Sequence, residues 1–123
     1  RYRSVLAAMA EGVLVLDATG TALACNASAE RILGYTEAEI VGVRADAAAW
    51  DACDEAGQPL AGDALPVYQT LATGEPVDGR VLGVRRGDGE RRWLRVSSRA
   101  FGVAIAVATG QAVPNEASSG VVG

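Results

Sequence analysis

Apolar and polar positions change period several times along the chain, and each change marks an element. Tyr2, Val5, Leu6 and Met9 recur at the i, i+3, i+4, i+7 spacing of one helical stripe, so residues 1–11 predict a short amphipathic helix. Gly12-Val13-Leu14-Val15-Leu16-Asp17 is apolar on both faces, the pattern of a buried, central strand. Asp17-Ala18-Thr19-Gly20 then reads as a tight turn, with the Asp17 side chain on turn amides and Gly20 where positive φ is needed. Thr21 to Cys25 returns as a second strand and completes a hairpin.

Helical periodicity follows. Asn26 is placed to cap a helix over 27–33, which Gly34 ends. Thr36 and Glu39 have the capping-box spacing and predict a one-turn helix closed by Gly42. Residues 43–62 show no period, and Trp50 is their one large anchor. Asp63 is expected to cap a further helix, with Pro66 in its first turn, Leu65, Tyr68 and Leu71 or Ala72 inward, and Gly74 at its end.

Period two then takes over. Arg80–Arg86 and Glu90–Ser98 flank Gly87-Asp88-Gly89, a hairpin turn. Leu94, Val96 and Ser98 share one face, with Leu82 and Val84 as the apolar face of the preceding strand, while Trp93, Arg95, Ser97 and Arg99 face the other way. Gly102–Ala108 is apolar on both faces and reads as another central strand. One helix, two strands, several short helices and three strands predict an α+β domain with one antiparallel sheet.

Composition narrows the chemistry. The chain has 123 residues, room for one core, and its apolar half is rich in Ala and Val. It contains no His, which excludes Ser-His-Asp and Cys-His nucleophiles, His-held zinc or haem, and imidazole switches. A net charge of −4 argues against nucleic acid as a partner. Cys25 and Cys53 make neither a disulfide framework nor a metal cluster, and no run is long enough to span a membrane. The first residue is Arg1, as expected of a fragment of a longer protein. Asp51, Asp54 and Glu55 lie in a polar loop and are expected to be solvated. The arginines from Arg85 to Arg99 are read as an exposed hairpin of mixed charge.

The order and punctuation of these segments resemble the PAS domain, a sensory module of bacterial signalling proteins. The residues that carry the resemblance are Gly12–Asp17, Gly20, Asn26, Ala29-Glu30 and Leu33-Gly34-Tyr35, then Ala56–Leu60, Leu65-Pro66, Thr73–Val77, Arg86–Glu90 and Arg92–Ser97. The resemblance spans about residues 3–101. It implies a five-stranded antiparallel sheet in the order 2-1-5-4-3 with short helices on one face, and an output domain, such as a histidine kinase or diguanylate cyclase, in the same full-length chain. It also implies a small cavity between sheet and helices, with Leu82, Val84, Leu94, Val96 and Ser98 as its floor and Tyr68 and Trp50 as its roof. The departure is at the end, where the family's usual closing strand motif is missing. The core is expected over 12–108, with 109–123 as an atypical tail or the start of a truncated strand near Gly120.

The expected function is a non-catalytic, cytoplasmic sensory and dimerisation module, without cofactor or metal, that takes a small neutral ligand. The alternatives are a dimerisation spacer without ligand, and a small acid/base enzyme of the isomerase-like cone type. The enzyme would need an inward Asp or Glu on a strand, and the pattern offers none. A helix as short as 1–11 is marginal alone, so Tyr2, Val5, Leu6 and Met9 are expected to pack with Trp93 on the outer sheet face and build a homodimer. Asp17, Gly20, Asn26, Thr36 and Glu39 are expected to serve as structural caps.

Overall fold

A computed structural model describes residues 11–101 and 105–113. The elements are β1 (Gly12–Asp17), β2 (Ala22–Cys25), α1 (Ala27–Leu33), α2 (Glu37–Ile40), α3 (Pro66–Thr73), β3 (Val77–Arg85), β4 (Arg91–Phe101) and β5 (Ile105–Ala112). Two 3₁₀ turns, Ala48–Trp50 and Gly62–Ala64, interrupt the segment between α2 and α3. The stripe Tyr2, Val5, Leu6 and Met9 lies outside the described residues, as does Gly120.

The strands form one sheet in the order β2-β1-β5-β4-β3, every neighbouring pair antiparallel. β5 therefore occupies the centre, between β1 and β4. Its course corrects the expected 102–108: pairing continues through Thr109 (opposite Val13 and Ser97) to Ala112 (opposite Leu94). The two-faced apolar pattern stops at Ala108 because Thr109 and Gln111 turn outward while Gly110 and Ala112 keep the inner face. The ladder outlasts the pattern.

Local chemistry sets the helix boundaries. The Asn26 side chain accepts hydrogen bonds from Ala29 N and Val13 N, both 2.9 Å, and its amide donates to Glu11 O at 3.0 Å. One side chain thus starts α1 and fastens it to the head of β1. Thr36 and Glu39 form the reciprocal capping box of α2. The start of α3 differs from expectation. Asp63 sits in the preceding 3₁₀ turn, Leu65 holds the cap position without a side-chain bond, and Pro66 supplies the preset φ of the first turn.

The inner sheet face and the helices enclose two joined clusters. Ala22, Ala29, Leu33, Ile40, Leu82, Val84 and Leu94 form one, and Leu16, Val67 and Ala106 the other. Leu14 packs against both.

Candidate functional site: an apolar cavity on the central strands

The inward positions of β5 are Ala106, Ala108, Gly110 and Ala112, by register with Leu16, Leu14, Val96 and Leu94. A central strand of such small residues leaves space that its neighbours must fill, and they fill it incompletely. A cavity of about 120 Å³ remains between the sheet and the helical side. Leu14, Leu16, Ala108, Leu82, Val84, Leu94 and Val96 make its floor. Leu33, Ala45, Trp50, Ala52, Leu65, Pro66 and Val67 make its walls. A smaller space of about 70 Å³ under α1 shares Leu14, Leu33, Leu94, Val96 and Ala108 with it.

Of the residues expected there, Trp50, Leu82, Val84, Leu94 and Val96 line the cavity, whereas Tyr68 and Ser98 do not. Ser98 faces inward but is covered by α3: its hydroxyl meets Thr70 Oγ1 at 2.6 Å and donates to Pro66 O at 3.1 Å. Tyr68 leaves α3 in the other direction. Its hydroxyl donates to Thr19 O at 3.0 Å, and its ring lies so close to Gly20 (φ 79°) that a Cβ there would come within 2.4 Å of the phenol oxygen. The Arg44 guanidinium lies over the same ring, 5.8 Å from its centre. Leu14, Leu16 and Ala108 were missed as lining. The signal was the strand order, since strands 1 and 5 at the middle of the sheet must supply the middle of the floor.

The polar groups around the cavity are turned away from it. The Trp50 indole donates to Arg44 O at 3.1 Å, and its ring meets Tyr35 edge to face at 5.5 Å. No buried side-chain nitrogen or oxygen among the described residues lacks a partner. Among the described residues, no ionisable side chain lines the cavity. Such a lining presents shape and apolar contact rather than polar groups.

The irregular segment is more ordered than its composition suggests. Asp54 accepts from Ala56 N and Gln58 N, closing a small turn. Asp51 bonds Arg85 at 2.9 Å and Arg91 at 2.8 Å, which corrects the expectation that it is merely solvated. The Arg85 hydrogen bond and the Arg91 charge hold its carboxyl below the usual carboxylate range. Thr19 and Thr21 do the same for Asp17, chiefly through the Thr19 hydroxyl. Cys25 is shifted the other way: burial first, then Glu37 and Glu30, push its thiol up to about 11, so it is a poor nucleophile. Cys53 is buried and unbonded to Cys25. No cluster of three or more metal-ligating side chains occurs among the described residues.

Comparison with known proteins agrees with this geometry. A family model described as the PAS fold matches residues 1–43. The chain has the PAS fold. No curated protein matches it. Among solved structures, the PAS domain of an HTR-like protein from Haloarcula marismortui is 24% identical, with a TM-score of 0.70 over 92% of this chain and 89% of that one. A domain of a sensory box sensor histidine kinase/response regulator from Geobacter sulfurreducens is 18% identical, with a TM-score of 0.69 over 89% and 90%. The PAS domain of a LuxR-family transcriptional regulator from Burkholderia thailandensis, a structure in complex with ethanol, is also 18% identical, with a TM-score of 0.63 over 92% and 97%. No helix among the described residues is long and apolar enough to cross a membrane.

Proposed function

We propose that this PAS domain is a non-catalytic sensory module of a cytoplasmic signalling protein, and that its cavity takes a small, neutral, largely apolar ligand. The observation that carries this reading is the cavity itself. It is about 120 Å³, enough for a few heavy atoms, and its lining side chains are apolar throughout. A charged guest would lose hydration there without gaining a partner. The ethanol bound by the Burkholderia thailandensis PAS domain is a ligand of this size and polarity. A bound guest would bear on β1, β4 and β5 together, the strands through which a state change could reach an output domain in the full-length chain. Self-association through residues 1–11 and the outer face around Trp93 belongs to the same reading and would pair two output domains.

The test is a titration of the isotope-labelled domain with straight-chain alcohols from ethanol to hexanol, with succinate and citrate alongside, followed by methyl NMR. Leu14, Leu82 and Leu94 methyls should shift with the alcohols, most at three to five carbons, and stay put with the carboxylates. Saturable shifts from the carboxylates alone would overturn the neutral-ligand reading. Sedimentation of the same sample reads the oligomeric state, and a monomer at high concentration would remove the dimer.

A further inference from the structure

We propose that residues 44–53 form a strap that gates the cavity, with Asp51 as its releasable latch. The proposal rests on the ligand reading above and assigns the route by which a guest enters.

The floor offers no way in, because each of the five strands pairs with its neighbours and the ladders beneath the cavity, at Leu14, Leu82, Leu94 and Val96, are unbroken. α1 and α3 close two further sides by packing on the sheet. The strap supplies Ala45, Trp50 and Ala52 to the remaining wall. Backbone bonds fix both of its ends. Ala45 N donates to Gly20 O at 2.8 Å, while Cys53 and Gly83 exchange bonds of 3.0 and 2.9 Å. Between them, the 3₁₀ turn satisfies itself: Trp50 N bonds Ala47 O and Asp51 N bonds Ala48 O. Among the described residues, the polar links from 46–51 to the sheet are all made at Asp51. Its carboxylate holds Arg85 and Arg91, and its carbonyl accepts from Arg91 at 2.6 Å.

Three features suit Asp51 to release rather than to permanent stapling. First, its φ of 47° is left-handed, a conformation of the turn's C-cap that Asp adopts at modest cost and that contacts help to hold. Second, Arg85 and Arg91 stand directly opposite each other in the ladder, so one carboxylate bridges two like charges. Third, the carboxylate side chain is 56% exposed, so water and salt compete for the link. Loss of the latch loosens the segment that carries Trp50, which is then held by its indole bond to Arg44 O and its edge contact with Tyr35, while both backbone anchors and the sheet stay intact.

The experiment uses 1-butanol as the probe and measures its exchange by relaxation dispersion on the Leu14, Leu82 and Leu94 methyls. It compares wild type, Asp51→Asn and the double variant Arg85→Gln/Arg91→Gln. Asn tolerates the left-handed conformation, so the first variant removes charge and keeps the backbone. Both variants should exchange butanol at least threefold faster, with Kd within about twofold of wild type, because a gate changes entry and exit together. In wild type, about 0.5 M NaCl should speed exchange, and it should leave Asp51→Asn unchanged. Rates unchanged in both variants would overturn the gate. So would a lower melting midpoint without a rate change, which would make Asp51 only a structural tie. Absence of any butanol response in wild type would overturn the ligand reading, and the gate with it.

Discussion

Ser98 shows how far a single inward side chain can mislead. Its alternation with Leu94 and Val96 places it on the cavity side of β4, yet α3 lies over it, and its relative exposure is 1% beside 0% for Thr70. Because Ser98 donates its proton to Pro66 O, the Thr70 hydroxyl donates to Ser98, giving a short buried chain. Ser98→Ala would leave the carbonyl without this donor and the Thr70 hydroxyl without its acceptor, at a cost of about 1–3 kcal/mol. Thr70→Val should cost less, since Ser98 keeps Pro66. The double variant should lose less than the sum of the two. Urea denaturation of the four proteins measures this, and additive losses would show that the two hydroxyls act independently.

Among elements, the turn between β3 and β4 has a second task. Helix α1 ends at Gly34 in the left-handed conformation, and its last carbonyls need donors. The β3–β4 turn supplies them. Gly87 N donates to Leu33 O at 3.0 Å, Arg86 Nε to Ile32 O at 3.0 Å and Arg86 Nη2 to Arg31 O at 2.9 Å. Asp88 pairs with the same guanidinium and steadies it. So within the hairpin of mixed charge Arg86 is not simply exposed: it ties the last helical turn to the sheet. Gly87 is there because of proximity, since a Cβ would stand 2.1 Å from Gly34 O. Gly87→Ala should therefore push the hairpin off α1 and destabilise the domain by about 1–3 kcal/mol. A thermal melt reads the loss, and an unchanged midpoint would show that the contact yields without cost.

For the whole molecule, the lack of His and the placement of three carboxylates decide how stability follows pH. Asp17, Asp46 and Asp51 are all held below the usual carboxylate range: by the Thr19 hydroxyl, by the Arg44 hydrogen bond and by the Arg85 hydrogen bond respectively. A carboxyl that ionises more easily folded than unfolded adds stability above its unfolded pKa. That stability is lost as pH falls through the folded value. The acid limb should therefore begin near pH 4, the ordinary Asp range, and continue downward. No imidazole titrates between about pH 5 and 7, so the urea midpoint should be level there. Asp17→Asn should make the acid limb shallower. A midpoint that changes as much between pH 5 and 7 as between pH 3 and 5 would contradict this account.

Sequence alone determined what short-range physics controls. The extent of β1, the caps at Asn26, Thr36 and Glu39, the stops at Gly34 and Gly74, and the inward faces of Leu82, Val84, Leu94 and Val96 all follow from period, capping and turn chemistry within a few residues. The strand order came with the family resemblance rather than with any pattern in the chain. Tertiary structure decided the rest, because it depends on what lies across the sheet. β5 runs to Ala112 because β1 and β4 have groups left to pair, although its own apolar pattern stops four residues earlier. Tyr68 is drawn from the cavity by Thr19, forty-nine residues away in the chain, and Ser98 is sealed by Pro66 and Thr70. The cavity itself arises because Ala108 and its small neighbours lie at the centre of the sheet, where the side chains opposite them do not close the space. A run of alanines states its own volume, and only the packing of the whole fold states how much of the volume around it stays empty.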